Sequence, residues 1–234
     1  DTQALRCLDF ARHERRLGYG DRMSPAIKIC GLTTAETLEA AIAARAEWFG
    51  LMFVEKSPRL ASLAVAAELG LRAEGRIGRA GVFLDASDAA IGEAVAAAGL
   101  DVLQLHGSES PARCAELRAR TSLPVWKVLA VAARADLDRA RAYAGAADLV
   151  LLDAKTPKGS LPGGLGLAFD WDLLTGWQAP LPWGLAGGLS PANVADAVRC
   201  TGAPLIDASS GLETAPGIKD PALIAAFCAA ARTA

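Results

Sequence analysis

The chain has 234 residues, 52% of them hydrophobic, and a formal net charge of −2. That length can bury a full core in one large domain or two small ones. The near-neutral balance excludes a general attraction to nucleic acid or to an anionic membrane surface, and no apolar run approaches the ~20 residues needed to cross a bilayer.

The five cysteines are scattered without a C-x-x-C, and His13 and His106 are far apart. Neither a disulfide framework nor a metal centre is suggested, and a reducing cytoplasm is the expected compartment.

Residues 1–22 interleave Arg6, Arg12, Arg15, Arg16 and Arg22 with Asp9, Glu14 and Asp21. They lack the apolar core and small-residue cleavage pattern of a secretory signal. They are expected to be an extension outside the barrel, as a start codon assigned too early would produce. The alternative is an N-terminal helix docked through Leu5, Leu8, Phe10 and Leu17.

From Met23 onward, strand patterns fall at 26–30, 48–53, 80–84, 101–105, 124–128, 148–152, 182–186 and 204–207. Ala-rich amphipathic stretches at 34–46, 61–73, 88–98, 110–120, 136–144, 170–176, 191–200 and 220–232 alternate with them. Thr33 or Thr34, Ser110-Pro111 and Ser190-Pro191 are the start signals. Leu149-Val150-Leu151-Leu152 is apolar on both faces, as in a parallel strand covered by helices. Strict alternation implies a parallel α/β fold. Eight units and no internal composition break favour a closed (β/α)8 barrel, a single domain over 23–234, near the lower end of the ~200–400 residues usual for that architecture.

Chemistry-bearing residues recur at the strand ends. Cys30 closes strand one before Gly31, either as a small buried residue or as a nucleophile or base at the rim. Lys28 shares its face by period-two alternation and is a candidate charge near the thiol. Arg59, in Ser57-Pro58-Arg59, is either a surface arginine or a bidentate grip on a carboxylate. Gln104 and His106 share one face of strand four; a satisfied structural histidine is as good a reading of His106 as a catalytic one. Asp153 ends strand six, either starting a turn or acting as an acid.

The loop that follows, 155–166, carries two lysines, two prolines and four glycines, and reads as a solvated loop or a cover over an anionic ligand. Gly187-Gly188 follows strand seven, and Asp207-Ala208-Ser209-Ser210 ends and follows strand eight. These are the two positions where barrels of this type hold phosphate on backbone N–H groups; the alternative is a pair of ordinary turns.

These blocks resemble the phosphoribosylanthranilate isomerase family of tryptophan biosynthesis. The resemblance runs from about Ile27 to Phe227. It rests on Lys28-Ile29-Cys30-Gly31-Leu32, Ser57-Pro58-Arg59, Gln104-Leu105-His106-Gly107-Ser108-Glu109, Leu152-Asp153-Ala154 and Gly163-Gly164-Leu165-Gly166 with Phe169-Asp170-Trp171. It continues in Leu185-Ala186-Gly187-Gly188-Leu189 with Asn193-Val194, and in Asp207-Ala208-Ser209-Ser210-Gly211-Leu212-Glu213 with Lys219-Asp220. Leu165 departs from the Thr or Ser common in the family.

The resemblance implies an Amadori rearrangement of N-(5-phosphoribosyl)anthranilate, an aldose–ketose isomerisation, with no metal or organic cofactor. It implies Asp153 as general acid on the ribose ring oxygen and Cys30 as general base at C2′. Arg59 would hold the substrate carboxylate, and Gly187, Gly188, Ser209 and Ser210 would hold the phosphate. Lys28, Gln104, His106 and Asp207 would line the substrate pocket. A small-molecule substrate is then the expected partner, and a monomer is favoured over a homodimer. The competing readings are a phosphate-binding lyase that closes the indole ring, which would be expected to need a lysine and further carboxylates at the strand ends, and a non-catalytic sugar-phosphate binder.

Overall fold

The computed structural model describes residues 24–154 and 169–234. The expected extension 1–22 and the glycine-rich segment 155–166 with Leu165 lie outside the described residues. Eight parallel strands close into a barrel in chain order: β1 (Ala26–Cys30), β2 (Trp48–Met52), β3 (Gly78–Phe83), β4 (Val102–Leu105), β5 (Val125–Val131), β6 (Leu149–Ala154), β7 (Trp183–Leu185) and β8 (Leu205–Ala208). The last strand pairs with the first, with Lys28 opposite Asp207.

Among the described residues, six α-helices cover the outside: α1 (Ala35–Ala43), α2 (Leu63–Ala73), α3 (Asp88–Ala98), α4 (Pro111–Thr121), α5 (Val194–Thr201) and α6 (Pro221–Arg232). Thr34, Ser62, Ser87 and Ser110 cap the first four, each side-chain oxygen accepting from a backbone N–H three residues on.

Three segments differ from the periodicity reading. The stretch 134–143 is a 3₁₀ helix rather than an α-helix. Its covered residues are Leu137 and Ala140 with half-buried Tyr143, a three-residue spacing that matches three residues per turn. Trp171–Leu174 is a single 3₁₀ turn; Gly176 then leaves helical geometry, and Pro180 and Pro182 follow. Ser190-Pro191 does not start α5. The Asn193 amide accepts from the Ser190 N–H at 2.8 Å and donates to the Gly188 carbonyl at 2.9 Å, which holds 191–193 in a turn.

Alternation along each strand separates two cores. Ile27, Ile29, Phe49, Leu103, Val150, Leu152 and Ile206 face the helices. Ala26, Trp48, Ala80, Val102, Trp126, Leu151 and Leu205 fill the barrel interior. Trp48 and Trp126 meet edge to face there, with centroids 4.8 Å apart. Glycines make the room: a Cβ on Gly78 would lie 2.4 Å from the Trp48 ring, and one on Gly184 would lie 2.8 Å from Leu151 Cδ2. The floor of the barrel, below Lys28, is therefore apolar and aromatic.

Packing of α2 on α3 is close enough that Gly70 tests the fold without touching the mouth. A methyl group there would sit 2.3 Å from the Ala98 carbonyl oxygen. The helix-propensity gain of about 1 kcal/mol for Gly→Ala is outweighed by overpacking against backbone, at about 1–3 kcal/mol. Gly70→Ala is expected to lower unfolding stability in urea with catalytic parameters unchanged; an unchanged or higher midpoint would refute the tight crossing.

Candidate active site

A cleft opens at the C-terminal ends of the strands, with about 850 Å³ of empty space that includes open solvent. Cys30, Arg59, Gln104, His106, Asp153, Gly187, Gly188, Asp207, Ser209 and Ser210 all line it. Lys28 lies one layer below, fully buried.

The first wall is built by the seam between β1 and β8. Lys28 Nζ donates to both Asp207 carboxylate oxygens, at 3.0 and 2.9 Å. Gly50 on β2 leaves the space above this pair; a Cβ there would be 2.8 Å from Cys30 Sγ and 3.1 Å from Lys28 Nζ. The thiol thus sits beside a buried ammonium. Burial would strip the proton from Lys28, but the charges of Asp207 and Cys30 outweigh it and hold the lysine pKa above its ordinary value. Burial raises the Asp207 pKa, against the opposing charge and hydrogen bonds of Lys28. For Cys30 burial dominates: the thiol pKa is raised, with Lys28 and more weakly Lys219 pulling the other way and Asp207 adding to the rise.

Asp153 occupies the opposite wall. His106 Nε2 lies 3.2 Å from its Oδ2, and its Oδ1 lies against Gly187, where a Cβ would come within 2.9 Å. Gly187 has φ +89°, and a side chain there would also press to 2.6 Å from the Ala154 nitrogen. A glycine at this position lets the loop after β7 pass close over the end of β6. Gly211 brings the loop after β8 equally close, since a Cβ on it would be 2.1 Å from the Leu189 carbonyl oxygen. The two glycine-serine loops therefore meet, as a shared phosphate seat requires.

Arg59 is buried, not on the surface. Its Nε and Nη2 donate to Glu213 at 2.6 and 2.8 Å, a two-point contact that fixes the guanidinium plane. Glu213 also accepts from Lys219. Burial opposes the Glu213 charge, but the Arg59 and Lys219 hydrogen bonds win and hold its pKa below the usual range. Burial pulls the Lys219 ammonium down, against Glu213.

The Ser209 hydroxyl donates to the Cys30 carbonyl at 3.0 Å, with Lys219 Nζ 3.4 Å away. Only its backbone N–H is then left to serve an anion. Gln104 Oε1 is buried with no hydrogen-bond partner among the described residues.

Glu213, Lys219 and Asn193 gained no role from sequence reasoning. The hairpin β9 (Glu213–Ala215) and β10 (Ile218–Lys219) that carries the first two was not foreseen. Lys127 was missed although it shows the same signal as Lys28, a lone lysine inside an apolar strand.

A family model described as N-(5'phosphoribosyl)anthranilate (PRA) isomerase matches residues 27–230. A curated relative from Paracoccus denitrificans, an N-(5'-phosphoribosyl)anthranilate isomerase, is 51% identical over 210 residues, covering 89% of this chain and 98% of the relative. One of the same name from Cereibacter sphaeroides is 52% identical over 207 residues, covering 88% and 98%. The solved phosphoribosyl anthranilate isomerase of Thermotoga maritima superposes with a TM-score of 0.80 at 31% identity, covering 90% of this chain and all (100%) of that one. A solved enzyme of that name in complex with reduced 1-(o-carboxyphenylamino)-1-deoxyribulose 5-phosphate superposes with a TM-score of 0.78 at 29% identity, with the same coverage of 90% and 100%.

The thiol environment yields a chemical prediction. A raised thiol pKa leaves little thiolate at neutral pH, so Cys30 should alkylate more slowly than exposed Cys200 and speed up as pH rises. Lys28→Met removes a charge that favours the thiolate and strands Asp207, which disfavours it; both changes slow Cys30 further. Iodoacetamide labelling followed by peptide mass spectrometry reads the rates. Equal labelling of Cys30 and Cys200, or faster labelling in Lys28→Met, would contradict this electrostatic picture.

Proposed function

We propose residue roles from one premise: this chain belongs to the N-(5'-phosphoribosyl)anthranilate isomerase family, and it is an isomerase of tryptophan biosynthesis. The observation that carries the roles is the placement of one carboxyl and one thiol on opposite walls of a single cleft, each with its own neighbour.

Asp153 protonates the ribose ring oxygen and opens the ring to an imine. His106 holds Oδ2, so Oδ1, on the Gly187 side, presents the proton. Cys30, as thiolate, removes the C2′ proton, and the resulting enolamine tautomerises to the ketone. A high thiol pKa lowers the thiolate population but makes each thiolate a stronger base. Lys28 below the thiol, with Lys219 as a weaker contributor, limits that loss.

Arg59, its plane set by Glu213, holds the anthranilate carboxylate. Backbone N–H groups at Gly187, Gly188, Ser209 and Ser210 hold the phosphate. Gln104 offers a carboxamide to the sugar, and Asp207 keeps Lys28 charged. The ligand of the solved relative carries both a carboxylate and a phosphate, the two groups this arrangement would take. The proposed working unit is a monomer acting in the cytoplasm. Separately, no helix among the described residues is long and apolar enough to cross a membrane.

Loss of substrate fluorescence tests the assignment. Cys30→Ala and Asp153→Asn should each lower kcat by about 10²–10⁴-fold; wild-type turnover in both would sink the acid–base pair. Arg59→Ala should raise KM more than it lowers kcat, and the reverse split would argue against a ground-state carboxylate contact.

A further inference from the structure

The reaction scheme leaves one buried ion pair without a task. Lys127 on β5 and Glu109 in the loop before α4 are both buried, with Nζ and Oε2 2.8 Å apart. Their remaining contacts converge on one short piece of backbone. Lys127 Nζ donates to the Gly107 carbonyl at 2.6 Å and to the Leu105 carbonyl at 3.2 Å. Glu109 Oε2 accepts from the Gly107 N–H at 2.9 Å. The ammonium therefore holds the peptide before His106 and the peptide after Gly107, and the carboxylate holds the peptide between them.

The other Glu109 oxygen reaches across to the neighbouring loop, where it accepts from the Asp85 N–H at 2.8 Å. Asp85 is a non-glycine residue at φ +49°, a backbone conformation that needs support from its surroundings. Its own carboxylate accepts from the Ser108 N–H at 2.8 Å. Helix capping does not explain Glu109, because Ser110 already caps α4.

We infer that Glu109 and Lys127 are positioning residues for the isomerisation: they lock the backbone around His106 so that its imidazole meets Asp153 Oδ2. Two buried charges are an expensive way to hold a loop unless its geometry matters, and the one side chain this loop sends to the cleft is His106. Misplacement by about 1 Å at a reacting group can cost on the order of 10²-fold in rate. The inference rests on the acid role given to Asp153, and the experiment separates the two.

Glu109→Gln and the double variant Glu109→Gln/Lys127→Met are compared with wild type. The double variant leaves neither charge buried alone, so it keeps the test open if a single variant unfolds. Two readouts are taken on folded protein. The first is the imidazole NMR signal of His106, assigned in a His13→Gln background because the chain has two histidines. The second is kcat and KM. The expected result is a shifted or broadened His106 signal, and a kcat lowered about ten- to hundredfold with KM within about twofold, even where the double variant recovers the thermal midpoint.

An unmoved His106 signal would overturn the inference. So would a moved signal with unchanged kcat in both variants while Asp153→Asn is inactive. Full turnover by Asp153→Asn would instead overturn the acid assignment, and the His106 signal alone would then decide whether the pair positions the imidazole.

Discussion

The Lys28–Asp207 pair is the interaction on which the site depends. It spans the seam where the last strand closes on the first, between directly paired residues. Removing one partner of such a buried pair typically costs about 3–5 kcal/mol, because the other charge is left without compensation. The pair would therefore resist any slip of β8 against β1. It also puts a permanent cation under Cys30, in space kept open by Gly50. Barrel closure and thiol electrostatics thus share one contact, and neither can be changed without the other.

Above the seam, the mouth is close to neutral. Among the described residues, Lys28 faces Asp207, Arg59 and Lys219 both face Glu213, and His106 faces Asp153. A substrate bearing a phosphate and a carboxylate then meets few uncommitted charges. Backbone N–H groups in the two abutting loops are the proposed phosphate donors, since they are fixed dipoles that need no counter-ion. Arg59, the proposed carboxylate contact, is held in one plane by Glu213, and Glu213 by Lys219, so its guanidinium is oriented before any ligand arrives. The same logic recurs around His106 and at Gly188, where Asn193 ties the loop to its own turn. Strand ends carry the proposed reacting groups, and short polar braces hold the loops between them.

Much of this was legible from period and parity. Eight apolar runs alternating with Ala-rich segments led to the closed barrel, and alternation within Lys28-Ile29-Cys30 put the lysine and the thiol on one face. Asp153 at the end of a run buried on both faces had to emerge at the rim. Contacts set by tertiary closure were not legible. No local pattern brings Glu213 to Arg59, 154 residues earlier, because that meeting depends on a hairpin after β8 whose Gly217 docks on Pro58. The Ser209 hydroxyl reaches the Cys30 carbonyl because β8 closes on β1. At 134–143 the sequence was Ala- and Arg-rich enough to look α-helical, but the surface it covers offers one contact every three residues.

The division of labour between the two walls is open to one direct measurement. Borohydride trapping during turnover captures the open-chain imine, the species that lies between ring opening and C2′ deprotonation. If Asp153 opens the ring and Cys30 acts afterwards, Cys30→Ala should accumulate trapped imine and Asp153→Asn should yield none. Trapped imine in Asp153→Asn, with none in Cys30→Ala, would contradict the assignment of acid and base.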